Sequence, residues 1–410
     1  MAQLLAVWLY GEKVATVDQD RQRRPRLTYT SAVLSRYPFG TPLLSLKLPV
    51  QPEQHSHRVV LPFLDGLLPE GLSRSAVAHD LNVVASDSFA LIRSIGRDCA
   101  GAVVVQPDDL PPPPPASTLR AEPLSDVEIA ALVANLRTAP LGIDDRVRVS
   151  LGGVQEKLLL TQLPNGSWGR PVDGTPSTHI LKPEIPRFPN SVENEAFCMR
   201  IAQHLGVSVA QVDIILIGGR KLLAVERYDR SVDRDGSVER IHQEDFCQAT
   251  STEPSRKYQE DGGPSLRSLA EILEAYAAAG SNERLLQTVT VIALIGNGDA
   301  HAKNFSLLHH PTGELTLAPL YDLMSTLDYG DDHLAMQIDG VKKTNRLTAS
   351  RIVSESVGWG LRRADAIEIV DGILGSAPIA IATAHDETEG LPTTTLETVL
   401  QQLAQLRSVD

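Results

Sequence analysis

Leu294-Ile295-Gly296-Asn297-Gly298-Asp299-Ala300-His301-Ala302-Lys303-Asn304-Phe305-Ser306 is the stretch on which the reading of this chain turns. The apolar run Leu285 to Ile295 predicts a helix leading into it, and Gly296 and Gly298 break that helix. Phe305 to Leu308 reads as a strand leaving it. Between them stand four polar side chains, Asp299, His301, Lys303 and Asn304. An Asp followed five residues later by an Asn is the spacing of a phosphotransferase catalytic loop. There the Asp takes the proton of the acceptor hydroxyl and the Asn holds Mg²⁺. A second carboxylate follows in Pro319-Leu320-Tyr321-Asp322, just after the strand-like Thr316-Leu317-Ala318. Mg²⁺ takes hard oxygen ligands and is commonly shared between one or two carboxylates and nucleotide phosphates. An isolated D-x-x-x-x-N would be an ordinary surface turn, because turns favour Asp and Asn. The helix–loop–strand setting and the later Asp322 argue for the site.

The wider chain suits such an enzyme. It has 410 residues, 42% hydrophobic and 22% charged, enough for two or three domains with proper cores. The net charge of −13 argues against stand-alone duplex binding, which relies on Lys and Arg neutralising phosphates. Arg21-Gln22-Arg23-Arg24 reads as a solvated hairpin tip. Cys99, Cys198 and Cys247 follow no metal spacing and predict free thiols in a reducing compartment. No basic n-region opens the chain, Leu4 to Tyr10 is too short for a signal core, and no run approaches 18 apolar residues. The expectation is a cytoplasmic protein without a membrane span.

Upstream of the loop, residues 1 to about 110 read as a small α+β region. Leu4–Tyr10, Val14–Val17 and Arg26–Tyr29 are expected strands, with Pro42–Leu46 and Arg58–Val60 as further candidates and a helical section opening at Phe63. Five prolines, 111 to 115, predict an extended spacer, and Ser125 an N-cap for a helix from Asp126 to Leu136. Arg146 to Leu160 reads as strand, glycine turn, strand, with Ser150-Leu151-Gly152-Gly153-Val154-Gln155-Glu156-Lys157 at its centre. Glycines in a hairpin let backbone N–H groups approach phosphate oxygens, although an ordinary turn has the same composition. Lys182 ends the strand Thr178–Pro183, where a lysine could grip the α/β-phosphates or simply reach solvent. The helix Val192–Leu205 offers Glu193 and Glu195 as partners for it, Glu195 being favoured. A Gly218-Gly219 hairpin ends at Glu226-Arg227-Tyr228, a hinge whose backbone could meet an adenine edge and whose Tyr228 could pack on the ring. Beyond Gln243 the chain is expected to be mostly helical.

Taken in order, the Ser150–Lys157 loop, His179-Ile180-Leu181-Lys182-Pro183, Asn194-Glu195-Ala196-Phe197, Glu226-Arg227-Tyr228-Asp229-Arg230, Gln243-Glu244-Asp245 and Asp299 to Ser306 resemble the HipA family, the serine/threonine kinase toxins of bacterial toxin–antitoxin modules. Tyr37-Pro38-Phe39-Gly40 and Phe63 to Pro69 extend the resemblance into the N-terminal region. It implies an α+β, bilobal, protein-kinase-like fold: an N-terminal subdomain over residues 1–110, a Pro-rich linker and short helix over 111–145, a kinase N-lobe over 146–240 and a helical C-lobe over 241–410. It also implies ATP and Mg²⁺ as cofactors. Asp299 would be the catalytic base, and Asn304 and Asp322 the metal ligands. Gly152, Gly153, Val154, Gln155, Glu156 and Lys157 would form the phosphate loop and Lys182 would bind the α/β-phosphates. Glu226, Arg227 and Tyr228 would line the adenine site, with His301, Ala302, Lys303 and Tyr321 near the nucleotide. Ser150 matches the family's autophosphorylated serine, implying self-inactivation. The implied partners are a HipB-like helix-turn-helix antitoxin, with DNA met only through it, and a protein substrate, an aminoacyl-tRNA synthetase such as the glutamyl enzyme. A binding module that co-represses with the antitoxin is the alternative, and a lipid or small-molecule kinase a third reading. The loop has Gly152-Gly153-Val154 where many relatives carry Ala-Gly-Ala, and either permits close backbone approach.

Overall fold

The computed structural model describes residues 3–115, 120–137, 140, 150–153, 155–172, 174–233 and 237–408. The expected strand Arg146–Val149 and the predicted loop residue Val154 lie outside these. The chain divides into two compact units. The first comprises residues 1–183, 216–220 and 226–255, and the second 184–215, 221–225 and 256–410.

The first unit opens with an antiparallel meander. Strands β1 (Leu5–Leu9), β2 (Glu12–Gln19), β3 (Pro25–Tyr29) and β4 (Val103–Pro107) lie in the order β3-β2-β1-β4, with Leu5 opposite both Val17 and Pro107. Helices His57–Gly66 and Ser88–Ile95 supply Phe63, Leu64, Leu91 and Ile92 to the core beneath it. Two expected strands are not strands. Arg58–Val60 lies in the first of these helices, where the spacing of Val60, Phe63 and Leu64 buries one face and outweighs the β-branched pair Val59-Val60. Pro42–Leu46 is irregular because its polar groups are bonded elsewhere. Glu244 accepts from Ser45 Oγ at 2.6 Å and from the Leu46 N–H at 2.9 Å, and the Leu44 carbonyl meets His242 Nε2 at 2.8 Å. Gln248 Nε2 also donates to the Phe63 carbonyl at 2.9 Å. These bonds explain why residues 242–250 belong with the first unit rather than with the helical region expected from Gln243 onward.

A second sheet in this unit runs β5 (Ala121–Pro123), β7 (Trp168–Pro171), β6 (Leu158–Gln162), β8 (His179–Pro183), all pairs antiparallel. The helix Asp126–Ala134 starts at a full capping box between Ser125 and Glu128. Strands Val212–Ile217 and Arg220–Glu226 are hydrogen-bonded neighbours. Their turn, Gly218-Gly219, needs positive φ at both residues (57° and 77°), which glycine adopts without a Cβ penalty.

The second unit is mostly helical. Ser281–Ile295 is its central helix, buried at twelve of its fifteen positions. Around it are helices Ser191–His204, Leu266–Tyr276, Ala349–Val357, Arg363–Asp386 and Thr393–Leu406. Arg363–Asp386 is long and apolar enough to cross a membrane by composition alone, but its Val370, Leu374, Ala377 and Ile381 face is buried within the unit. Strands Ser306–His309 and Leu315–Leu317 pair antiparallel, with Leu307 opposite Leu317. The three cysteines are buried and form no disulfide among the described residues, and burial pushes the Cys99 thiol up to about 12.

Candidate active site

The central helix stops where the sequence expects. Gly296 caps it with φ +67°, its N–H bonded to the Ala293 carbonyl at 3.3 Å. The next turns are held from several sides. Gly298 N–H donates to Thr326 Oγ1 at 2.8 Å and its carbonyl accepts from Ala335 at 2.7 Å. Asn297 Oδ1 accepts the Asp299 N–H at 3.0 Å, the Asp299 carbonyl accepts from His301 at 2.8 Å, and the His301 carbonyl accepts from Asn304 at 2.8 Å. Ala302–Asn304 is a single 3₁₀ turn. A Cβ on Gly298 would lie 2.2 Å from the His333 carbonyl oxygen and 3.0 Å from Thr326 Oγ1. Gly298→Ala therefore displaces the loop. We expect it to cost roughly 1–3 kcal/mol of stability, as overpacking does. It should also slow phosphoryl transfer by about 10²-fold, since an ångström of misplacement has that effect. A melting curve and an initial-rate assay check both.

Asn304 and Asp322 are brought together, with Asn304 Nδ2 3.2 Å from Asp322 Oδ2. Asp322 has φ +59°, a left-handed conformation uncommon for a residue other than glycine. Local strain of this kind gathers at functional sites. Tyr321 is placed as a fastening: its hydroxyl donates to the Lys303 carbonyl at 2.7 Å and lies 2.8 Å from Ser306 Oγ, tying the Asp322 segment to the loop. His301, Ala302, Lys303 and Asn304 are buried, while the Asp299 side chain is exposed at the surface of the loop. Crowding of the Asp299 carboxyl by the surrounding protein raises its pKa, a hydrogen bond from Tyr258 opposes the rise, and Asp322 adds to it. A carboxylate shifted upward is a better proton acceptor near neutral pH.

Of the predicted helix glutamates, Glu193 is paired with Lys221 at 2.6 Å, and Glu195 is buried. The same helix is fixed in its unit by Asn194, whose side chain bonds both the Ser325 N–H (2.8 Å) and carbonyl (3.1 Å).

In the first unit the glycine segment is pinned from one side. The Gly153 carbonyl accepts from Glu70 N–H at 3.1 Å, Gly153 N–H donates to Glu70 Oε1 at 3.2 Å, and Lys157 Nζ donates to the Gly152 carbonyl at 2.6 Å. Glu156 pairs with Arg137 at 3.0 Å, and Gln155 is half-buried. Ser150 is fully buried, its Oγ donating to the Leu67 carbonyl at 2.6 Å and its N–H to the Asp98 carbonyl at 2.9 Å. Lys182 lies on β8 and is nearly buried. Glu226 ends its strand exposed, and the Tyr228 hydroxyl bonds Gln243 Oε1.

Arg227 has a different place from the adenine line. Its guanidinium is buried, pairing with Asp229 at 2.8 Å and Asp98 at 3.5 Å, and bonding Ser177 Oγ and the Cys99 carbonyl at 2.9 Å each. Its N–H donates to the Thr178 carbonyl at 2.9 Å. Its carbonyl accepts the Arg230 N–H at 3.1 Å. Sequence reasoning missed this network, and it missed Lys257 and Tyr258. The Gly262-Gly263-Pro264 turn was the signal available for the second pair.

The donor set around Asp322 fits a hard cation: one carboxylate and one amide within hydrogen-bond distance, both oxygen-bearing, leaving the remaining positions for phosphates and water. Among the described residues no cluster of three or more His, Cys, Asp or Glu could hold a metal by itself.

The chain matches two family models, described as the HipA N-terminal domain over residues 5–106 and the HipA-like C-terminal domain over residues 149–381. Among relatives, "Putative kinase Y4mE" of Sinorhizobium fredii is 41% identical over 344 residues, 82% of this chain and 81% of that protein. The serine/threonine-protein kinase toxin HipA of Shewanella oneidensis is 34% identical over 357 residues, 83% of this chain and 80% of that protein. Among solved structures, a chain from the Shewanella oneidensis complex of HipA, HipB and operator DNA matches with a TM-score of 0.83 at 29% identity, covering 98% of this chain and 95% of that one.

Proposed function

The chain belongs to the HipA family, and from that premise we propose that it is an ATP- and Mg²⁺-dependent serine/threonine protein kinase acting as the toxin of a toxin–antitoxin pair. Its kinase-like HipA fold mixes sheets with a mostly helical second unit. The observation that carries the reading is the meeting of Asn304 and Asp322 beside the rigid turn that presents Asp299.

In this reading Asp299 accepts the proton of the acceptor hydroxyl as that oxygen attacks the γ-phosphorus of ATP. Asn304 and Asp322 would hold Mg²⁺, which when bound neutralises charge on the phosphate oxygens. Lys182 would bind the α/β-phosphates, and Gly152 to Lys157 would cover them through backbone N–H groups. Glu226 and Tyr228 would flank the adenine. The modules would divide near residues 110, 145 and 240, and the family domains matched over 5–106 and 149–381 support the first two divisions to within a few residues.

Ser150 would be the self-phosphorylation site. In its buried seat the hydroxyl donates to the Leu67 carbonyl, so the segment has to leave before it can react. A phosphate carries nearly two negative charges and could not re-enter that seat, which would make the modification self-limiting. The partner would be a HipB-like antitoxin that carries the DNA contact, and the substrate an aminoacyl-tRNA synthetase such as the glutamyl enzyme.

The test is intact-protein mass spectrometry after incubation with ATP and Mg²⁺. The wild type should gain one phosphate, mapped to Ser150. Asp299→Gln should gain none on the same timescale, the loss of general-base assistance being worth about 10²–10⁴-fold. A folded, initially unmodified wild type that gains no phosphate would count against the kinase and toward the co-repressor.

A further inference from the structure

Residues 256–263 form a tight turn fastened to the catalytic loop. The Tyr258 carbonyl accepts from Asp261 at 3.1 Å and Gly263 at 2.9 Å, and Arg256 Nε donates to the Asp261 carbonyl at 3.1 Å. Gln259 Oε1 accepts the Gln337 N–H at 2.8 Å, and the Lys257 carbonyl accepts the Ala302 N–H at 3.3 Å. Gly263 has no space for a side chain, since its Cβ would lie 2.2 Å from the Arg256 carbonyl oxygen. A turn held this way gives Tyr258 one direction. Its ring meets His301 edge to face, with centroids 5.3 Å apart at 80°, and its hydroxyl donates to Asp299 Oδ1 at 2.7 Å.

An O–H donating to that carboxylate is the same pair an acceptor serine or threonine would form with its general base. Resting on the reading of Asp299 as that base, we propose that Tyr258 gates the acceptor site: its hydroxyl occupies Asp299 Oδ1 until a protein hydroxyl displaces it, and so keeps water from serving as acceptor. The position suits this role because the Asp299 side chain is otherwise exposed. Without the phenol, a water at Oδ1 gives its proton to Asp299 while its oxygen bonds the γ-phosphorus. The bond to the bridging oxygen breaks, and ADP and phosphate leave.

The experiment measures phosphate release from ATP and Mg²⁺ with no protein acceptor, comparing wild type, Tyr258→Phe, Tyr258→Leu and Asp299→Gln, each checked for folding by circular dichroism. Tyr258→Phe and Tyr258→Leu should release phosphate several-fold faster than wild type, and Asp299→Gln should abolish release. The pH profile supplies a readout that a packing role would not move. Asp299 faces Tyr258, Lys257, Asp322 and Asp331. The tyrosine hydrogen bond favours the charged carboxylate, so removing it raises the Asp299 pKa and moves the acidic limb of the rate profile to higher pH. Unchanged or slower release by folded Tyr258 variants overturns the gate while leaving the kinase reading intact. Phosphate found on Tyr258 itself overturns it in favour of an acceptor tyrosine. No release by wild type or by either Tyr258 variant also overturns the gate, and phosphate gained by Ser150 in the mass-spectrometry test then decides the kinase reading separately.

Discussion

Asp98→Ala should destabilise the first unit by roughly 3–5 kcal/mol, the range for breaking a buried ion pair and leaving its partner uncompensated. Asp98 is 1% exposed and is shared by Arg230 at 2.9 Å and by Arg227 and Arg240 at 3.5 Å. It also accepts from Ser177, through the N–H at 2.9 Å and Oγ at 2.7 Å. Without it, Arg227 and Arg230 share Asp229. Burial works against the charged Asp98, but Arg227, Arg230 and Arg240 together outweigh it and hold its pKa below the usual carboxylate range. The sign follows from linkage. A depressed folded-state pKa gives stability that is fully present above the unfolded value, near pH 4. That stability declines as pH falls toward the folded value.

A urea titration followed by tryptophan fluorescence measures the effect. Trp8 and Trp168 lie in the first unit and Trp359 in the second, so a Trp359→Phe background isolates the transition of interest. Asp98→Asn keeps an acceptor for Ser177 but loses the charge, and should fall between wild type and Asp98→Ala. A shift under about 1 kcal/mol for Asp98→Ala, the scale of a surface pair, would show that the cluster is not the determinant of this unit. The network also reaches function. Ser177 and Thr178 precede the strand of Lys182, and Ser150 bonds the Asp98 backbone, so two proposed phosphate-handling segments take their register from it.

What the sequence disclosed, and what it withheld, follows the range of the interactions involved. The helix, turn and strand from Ser281 to His309 were legible because their cause is local: a helix of apolar periodicity and two glycines that end it. The glycine hairpin at 218–219 and the N-cap at Ser125 were legible for the same reason. Pro42–Leu46 failed because its backbone partners, Glu244 and His242, lie about 200 positions away, beyond any local pattern. Arg58–Val60 failed because two β-branched residues fit both templates over so short a window, and tertiary packing decided. Arg227 was assigned from its place in a motif, whereas its chemistry is set by Asp98, 129 residues upstream. The contact between Tyr258 and Asp299 likewise joins residues 41 apart in sequence. Elements set by local spacing were visible, and contacts that depend on a distant partner were not.

Asp322→Asn should reduce phosphoryl transfer by roughly 10³-fold, because metal stabilisation of transition-state charge is worth several kcal/mol and each 1.36 kcal/mol is tenfold. Asparagine is the informative substitution. Asp322 sits at φ +59°, a conformation asparagine tolerates well, so the backbone has no reason to move. The amide oxygen can still accept from Asn304 Nδ2, now 3.2 Å from the carboxylate. What is lost is the negative charge, which a hard divalent cation needs more than it needs one more neutral oxygen. The discriminating measurement is the Mg²⁺ dependence of the rate at saturating ATP. Loss of a metal ligand predicts a higher half-saturating Mg²⁺ concentration and partial recovery at high Mg²⁺, with an unchanged melting temperature. A rate that falls without any change in Mg²⁺ dependence would assign Asp322 a structural part and leave the metal to other groups. Tyr321→Phe separates the two further. It removes the hydroxyl that ties this segment to Lys303 and Ser306 but leaves the carboxylate in place, so it should lower the melting temperature while the half-saturating Mg²⁺ concentration holds.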